Sequence, residues 1–299
     1  MKVYLGVPRG FCAGVVRAVD VVHIALQRFG APVYVKHQIV HNPFVVKSLE
    51  EKGAVTVDDV NEIPYGSTVI FSAHGSPPED FEMARKRELN IIDATCPLVT
   101  KVHNEAKKYP GDGRRLILIG HKGHQEVKGT MGQSEMYLLD ERDGHRLPAW
   151  DMDEPVTVLT QTTLSVDDTQ KAIKEICGYF SDVIVRNDLC YATTNRQIAV
   201  KEMCKDVEVV LVIGAPNSSN CNRLREVAEL EGVKSYLING PNELNEAWFR
   251  HAENIGITSG ASTPELLVEA VMSSLNPDEV VLIDGVDEDV SFVLPMEIR

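Results

Sequence analysis

Three segments, GFCAGVVRAV (10–19), ATCPLVTKVH (94–103) and DLCYATTNRQ (188–197), each set a cysteine where an apolar strand gives way to a helix. Cys12, Cys96 and Cys190 lie 84 and 94 residues apart, and Pro97 suits the first position of a helix opened by Cys96. A thiol meant only for packing needs no such setting. A thiolate does, because helix amides and the positive end of the helix dipole lower its pKa. After each cysteine come strand-like runs with polar tips. The first third gives His41 and His74, the second His124 and Thr162, the third Ser218-Ser219-Asn220 and Ser262.

This repetition predicts an α/β fold of three similar domains in pseudo-threefold arrangement, each offering one cysteine and two polar loops to a shared centre. The competing reading is one doubly wound sheet with scattered cysteines. Strands are expected in PVYVKHQIV, STVIFSAHG, RRLILIGHKG, PVTVLTQTT, VEVVLVIGAP and NIGITSGAS, besides the opening run Val3–Val7. Helices are expected at 15–29, 79–88, 97–109, 167–180, 196–205, 222–231 and 264–275. The expected division is an N-terminal strand and first ligand at 1–13, domains at 14–95, 96–189 and 190–282, and a tail at 283–299.

Three thiolates from separate domains suit a soft metal or an iron–sulfur cluster, and three ligands instead of four leave a metal position open. Cys177 and Cys204, inside amphipathic patterns, read as packing residues. GHKGHQEVKGTMGQ holds His121, His124 and Glu126 among four glycines. It reads either as an HxxH metal loop or as an active-site loop supplying a hydrogen-bond donor and a carboxylic proton donor, and its glycines argue for close backbone approach. GAPNSSNCNR offers amides and hydroxyls at a helix start, suited to an anion. Ser262 and Thr263 suit either the same purpose or a helix cap. Hydroxyls, amides and histidines with few clustered cations fit a small phosphate ester, while neither GxxxxGK[ST] nor a complete GxGxxG occurs.

With 30 Lys plus Arg against 44 Asp plus Glu, the net charge of −14 argues against nucleic acid. No apolar run approaches a membrane span, and the apolar stretch before Arg9 is too short for a signal peptide. The expectation is a cytoplasmic protein with reduced cysteines.

PRGFCAGVVRA, DATCPLVTKVH, GHKGHQEVKGTMGQ, TQTTLSVDDT, DLCYATTNRQ, PNSSNCNRL and the closing FVLPMEIR resemble, in order, the IspH/LytB family of 4-hydroxy-3-methylbut-2-enyl diphosphate reductases. The resemblance implies three domains around a central 4Fe-4S cluster with Cys12, Cys96 and Cys190 as iron ligands and a fourth iron open to substrate. It implies reductive removal of the allylic hydroxyl, giving isopentenyl and dimethylallyl diphosphates. Glu126 would be the proton donor, with Thr162 and His124 around the hydroxyl. His41, His74, His124, Thr162, Ser218, Ser219, Asn220 and Ser262 would bind substrate. The implied partner is a ferredoxin or flavodoxin-type electron donor, and a monomer is the simplest expectation. Cys221 stands where serine or threonine is expected, and Gln125 where proline is frequent. Two other readings remain: a non-catalytic zinc or iron–sulfur regulator with Cys221 as fourth ligand, and an iron–sulfur hydro-lyase that consumes no electrons.

Overall fold

The computed structural model describes residues 1–144, 146–283 and 285–299. The chain begins β1 (Lys2–Gly6), α1 (Ala13–Phe29), β2 (Val33–Lys36), α2 (Pro43–Glu50), β3 (Ala54–Val57), β4 (Thr68–Phe71), α3 (Pro78–Lys86) and β5 (Asn90–Asp93). It continues with α4 (Pro97–Gly111), β6 (Arg115–Ile119), α5 (Gln125–Met131), β7 (Tyr137–Leu139), β8 (Val156–Thr160), α6 (Val166–Tyr179) and β9 (Val183–Val185). It ends with α7 (Tyr191–Met203), β10 (Val209–Ile213), α8 (Ser219–Leu230), β11 (Lys234–Ile238), β12 (Asn254–Ser259), α9 (Glu265–Leu275) and β13 (Glu279–Ile283).

The strands form three parallel sheets ordered β3-β2-β4-β5, β7-β6-β8-β9 and β11-β10-β12-β1-β13. The first four positions of each follow one rule. The chain moves outward from an inner strand, returns to that strand's other side, and places the cysteine-bearing segment after the next strand along. Thus β5 precedes Cys96, β9 precedes Cys190, and β1 precedes Cys12. The third sheet recruits its Cys strand from the far end of the chain. The three-domain α/β fold expected from the cysteine repeat is therefore present.

By compactness the chain divides into two units. Unit 1 comprises Met1–Val16, His41–Val45 and Cys190–Ser291; unit 2 comprises Arg17–Val40, Val46–Leu189 and Phe292–Arg299. In unit 1 the β10 run Val209–Ile213 is wholly buried, as a strand covered on both faces must be. Leu211 and Ile213 pack with Val3, Leu5 and Ile257 towards Val268 and Val271 of α9. Val210 and Val212 pack towards Val200 and Met203 of α7 and Leu224 and Val227 of α8. Each such side chain contributes about 1.5–3 kcal/mol by leaving water. In unit 2, Ile117 and Val158 face Ala172 and Ile176 of α6, while Leu116 and Leu159 face Val102 and Ala106 of α4. Val69 and Phe71 anchor the remaining sheet.

Several expectations need correction. α7 begins at Tyr191 and not at 196, because burial of Ala192 and Thr193 outweighs the weak helix propensity of ATTN. Neither Ser262 nor Thr263 caps α9: Pro264 occupies that position, while Thr263 Oγ1 donates to the Ile213 carbonyl at 2.9 Å. Cys177 is exposed, not packed. Cys204 lies at the C-terminal cap of α7, outside the helix proper, but packs as expected against the core of Val200, Met203 and Leu224. Asp284, in the expected tail, lies outside the described residues. Among the described residues no helix is long and apolar enough to cross a membrane.

Candidate active site

In each sheet the chain reverses direction beside its founding strand: between β2 and β4, between β6 and β8, and between β10 and β12. Open α/β sheets bind ligands in the crevice at the carboxyl ends of such strands. His74 follows β4, His124 and Glu126 follow β6, and Thr162 follows β8. Ser218 to Asn220 follow β10, and Ser262 follows β12.

In unit 2, His124 caps α5, its Nδ1 accepting the Glu126 N–H at 3.2 Å. That bond assigns the neutral imidazole proton to Nε2. Glu126 in the first turn is only 4% exposed. Thr162 N–H donates to Glu126 Oε1 at 2.6 Å, and Thr162 Oγ1 donates to Oε2 at 2.9 Å. Burial pushes the Glu126 carboxyl up to about 7, against the two Thr162 hydrogen bonds and with help from Asp188. A carboxylic acid poised at neutral pH is a proton donor in waiting. His121 does not join it. Its Nε2 meets Glu141 Oε1 at 3.1 Å, so the HxxH metal reading loses one ligand to a hydrogen bond within the protein.

Gly129 and Gly132 of this loop serve protein packing. A Cβ at Gly129 would lie 3.0 Å from the Gly75 carbonyl oxygen, and one at Gly132 would lie 2.4 Å from Pro77 Cβ. α5 therefore docks against the 75–77 turn, fastened by Gln133 Nε2, which donates to the Ser76 carbonyl at 3.2 Å. The docking brings the His74 and His124 rings to 6.0 Å, edge to face. The close backbone approach that the glycines predicted is present, and the partner is the 75–77 turn. Cys96, in the same unit, precedes α4, and its N–H donates to the Ala73 carbonyl at 3.0 Å.

In unit 1, Cys12 N–H donates to the Ala261 carbonyl at 3.1 Å, and Gly10 N–H to Ser259 Oγ at 2.8 Å. The first cysteine loop is thus tied to the β12 loop. Gly10 has φ +71°, where other side chains are strained. Cys190 caps α7: its sulfur accepts Thr193 N–H at 3.3 Å, and its thiol donates to Thr193 Oγ1 at 3.0 Å. Ser218 caps α8 through Cys221 N–H, and Ser262 Oγ donates to the His41 carbonyl at 3.1 Å. Asn220 is 5% exposed, and neither side-chain polar atom has a partner among the described residues. A buried amide left unsatisfied is costly unless something else fills the bonds, which makes Asn220 a candidate ligand-binding residue.

Two expectations about cysteines change. Burial pushes the Cys12 thiol up, outweighing the amides of Gly14 and Val15 that favour the thiolate. Cys221 belongs to the core of unit 1, fully buried with Val212 and Leu224. Its Sγ would lie 2.3 Å from a Cβ at Gly214 and 2.2 Å from one at Gly260, so two strand ends are glycine to receive it. This packing removes Cys221 as a fourth ligand.

The six cysteines, all among the described residues, form no disulfide. No group of three or more His, Cys, Asp and Glu side chains among the described residues is arranged around one metal ion. An iron–sulfur group fits the donor chemistry present: half-buried thiols at helix starts, two of them with main-chain amides aimed at sulfur.

The chain matches the family model of the LytB protein over residues 3–276. It is 50% identical over 308 residues to 4-hydroxy-3-methylbut-2-enyl diphosphate reductase 2 of Bradyrhizobium diazoefficiens, covering 100% of this chain and 99% of that one. It is 49% identical over 311 residues to 4-hydroxy-3-methylbut-2-enyl diphosphate reductase of Saccharophagus degradans, covering 100% of both. The solved E-1-hydroxy-2-methyl-but-2-enyl-4-diphosphate reductase of Plasmodium falciparum superposes with a TM-score of 0.95 at 36% identity, covering 99% of this chain and 96% of that one. A solved (E)-4-hydroxy-3-methyl-but-2-enyl diphosphate reductase, described as the terminal enzyme of the non-mevalonate pathway, superposes with a TM-score of 0.65 at 34% identity, covering 92% and 99%.

Proposed function

The chain belongs to the LytB family, and from that premise we propose how it reduces 4-hydroxy-3-methylbut-2-enyl diphosphate in the last step of the non-mevalonate route to isoprenoid precursors. Cys12 of the N-terminal segment 1–13, Cys96 at the start of the domain 96–189 and Cys190 at the start of the domain 190–282 would hold a 4Fe-4S cluster. When bound, that cluster supplies two electrons, one at a time, and Lewis-acid activation at the iron no cysteine holds. A ferredoxin or flavodoxin-type protein delivers the electrons.

The protein's own work is binding and proton transfer. The allylic C–O bond breaks, two electrons enter the allyl unit, the hydroxyl leaves as water, and a second proton completes isopentenyl or dimethylallyl diphosphate. Hydroxide is a poor leaving group, so the departing oxygen must be protonated. Glu126 carries that proton on Oε2, since Oε1 is committed to the Thr162 N–H. The Thr162 hydroxyl, bonded to Oε2, rotates to relay it. His124 presents its Nε2–H to the substrate. His41, His74, His124, Ser218, Ser219, Asn220 and Ser262 hold the diphosphate, and the unsatisfied amide of Asn220 gains its missing partners there. The observation that carries the reading is the buried Glu126–Thr162 pair with its carboxyl near neutrality.

The test is anaerobic assay of allylic diphosphate reduction with a reduced dye, together with iron and sulfide analysis of cysteine variants. Dye oxidised in step with product excludes the hydro-lyase reading. Cys12→Ser, Cys96→Ser and Cys190→Ser lose iron, whereas Cys177→Ser, Cys204→Ser and Cys221→Ser keep it. Equal iron in all six variants sinks the ligand assignment.

A further inference from the structure

Each cysteine-led helix carries a cation in its second turn: Arg17 five residues after Cys12, Lys101 five after Cys96, and Arg196 six after Cys190. Helical side chains lean back towards the N-terminus, so each can reach chain beside the start of its own helix. Arg17, 9% exposed, gives Nη1 to the carbonyls of Ala94 and Thr95, both at 3.1 Å, and Nε to the Val293 carbonyl at 2.8 Å. Ala94 and Thr95 lead directly into Cys96. Lys101 Nζ donates to Asp188 Oδ1 at 2.7 Å, and Asp188, 5% exposed, lies two residues before Cys190. Arg196, wholly buried, gives Nη2 to the Gly10 carbonyl at 3.0 Å, two residues before Cys12, and Nη1 to the Ala192 carbonyl at 2.9 Å.

The contacts form a cyclic succession. The Cys12 helix holds the Cys96 loop, the Cys96 helix holds the Cys190 loop, and the Cys190 helix holds the Cys12 loop. We infer that Arg17, Lys101 and Arg196 are positioning residues for the iron ligands, each fixing the loop that presents the next cysteine in the cycle. The inference rests on the ligand assignment above and deepens it.

The chain's investment in these clamps is physical. A buried guanidinium is tolerated only when paired and hydrogen-bonded, and Glu288 supplies the pairing for Arg196, its Oε1 lying 3.0 Å from Nη1. Asn195 Nδ2 donates to the same carboxylate at 3.2 Å. The segment bearing Glu288 crosses the first cysteine loop closely enough that a Cβ at Gly285 would lie 1.7 Å from the Val7 carbonyl oxygen. Carbonyls in a ligand loop held by forked donors fix the direction of the following Cα–Cβ bond, the function outer-shell partners serve at other metal sites.

The experiment uses full-length Arg17→Lys, Arg196→Lys, Lys101→Met and Lys101→Arg, reconstituted anaerobically with ferrous iron and sulfide. Release of iron to a chelator is followed alongside the thermal midpoint of the iron-free protein. The arginine-to-lysine changes keep the charge and lose the fork. Lys101 is half-exposed, so its variants fold even where a buried arginine is less tolerant. The expected result is iron release about 10-fold faster in Arg17→Lys, Arg196→Lys and Lys101→Met, with Lys101→Arg restored towards the parent rate. Parent release rates in Lys101→Met and Arg17→Lys overturn the inference, as does faster release only in variants whose iron-free melting point falls in step. A full complement of four irons in Cys12→Ser, Cys96→Ser and Cys190→Ser is a different failure, that of the ligand assignment itself.

Discussion

Replacing Glu126 by Gln isolates the cost of the proton-donating carboxyl. The side chains are nearly isosteric, and both bonds survive: Thr162 N–H still donates to Oε1, and the Thr162 hydroxyl turns to accept from the new amide. What disappears is titration. In the unfolded chain the carboxyl releases its proton near 4.5; in the fold it holds it to about 7. Between those values the folded state binds more protons than the unfolded, so stability falls as pH rises, is unaffected by this group below 4.5, and carries the full penalty above 7. At about 1.4 kcal/mol per pH unit the penalty reaches about 3 kcal/mol, of which about 2.5 kcal/mol develops between pH 5 and pH 8. Denaturant unfolding of Glu126→Gln and the parent at those two pH values measures it, since every other titration cancels in the difference. The variant gains about 2.5 kcal/mol relative to the parent on going to pH 8, while reductase turnover falls about 10²–10⁴-fold. A stability difference that stays constant within about 0.5 kcal/mol refutes the burial argument, because a carboxyl that costs nothing to ionise in the fold is not held protonated by it.

Thr162→Val removes the hydroxyl that favours the charged carboxylate, so the Glu126 titration moves to higher pH. The alkaline limb of kcat/KM shifts upward with it while the maximum falls; an unmoved limb argues against the pairing. Gly132→Ala puts a methyl group 2.4 Å from Pro77 Cβ. The overpacking costs about 1–3 kcal/mol. It also displaces the His74 turn, so KM for the diphosphate rises more than kcat falls, and a stability loss with unchanged KM uncouples that turn from substrate.

The cysteine repeat was legible because three features coincide at each copy: an apolar run before the thiol, a helix after it, and polar tips on later strands. Those signals are local. The helix starting at Pro97 and the caps at Cys190 and Ser218 follow from side chains within a few residues of one another. The strands that sequence reading missed, β3, β5, β7, β9, β11 and β13, all lie at the edges of the three sheets. Tyr137–Leu139 and Val183–Val185 have three residues each, too few for any period, and they are strands only because β6 and β8 offer them hydrogen-bonding edges. α5 was hidden for another reason. Gly129 and Gly132 weaken its helix signal while serving a contact with a turn more than 50 residues earlier in the chain. The place of Cys221 was illegible likewise, because it depends on glycines at the ends of β10 and β12. The Glu126–Thr162 pair spans 36 residues, and its identity came from motif resemblance, not from pattern.

The third sheet also sets an order of manufacture. β1 pairs along its length with β12 and β13, so residues 2–6, made first, find partners only when 254–283 have been made. At about 5–20 residues per second a ribosome takes on the order of 10–50 s to cover that interval. The sheets of β2 to β5 and β6 to β9 take no strand from the distal end, so their strand pairing can form earlier. Cys12 therefore trails from the ribosome beside a strand edge that stays unpaired until residues 254–283 are made. With Cys12 as the ligand proposed above, iron loading would follow the making of residues 254–283.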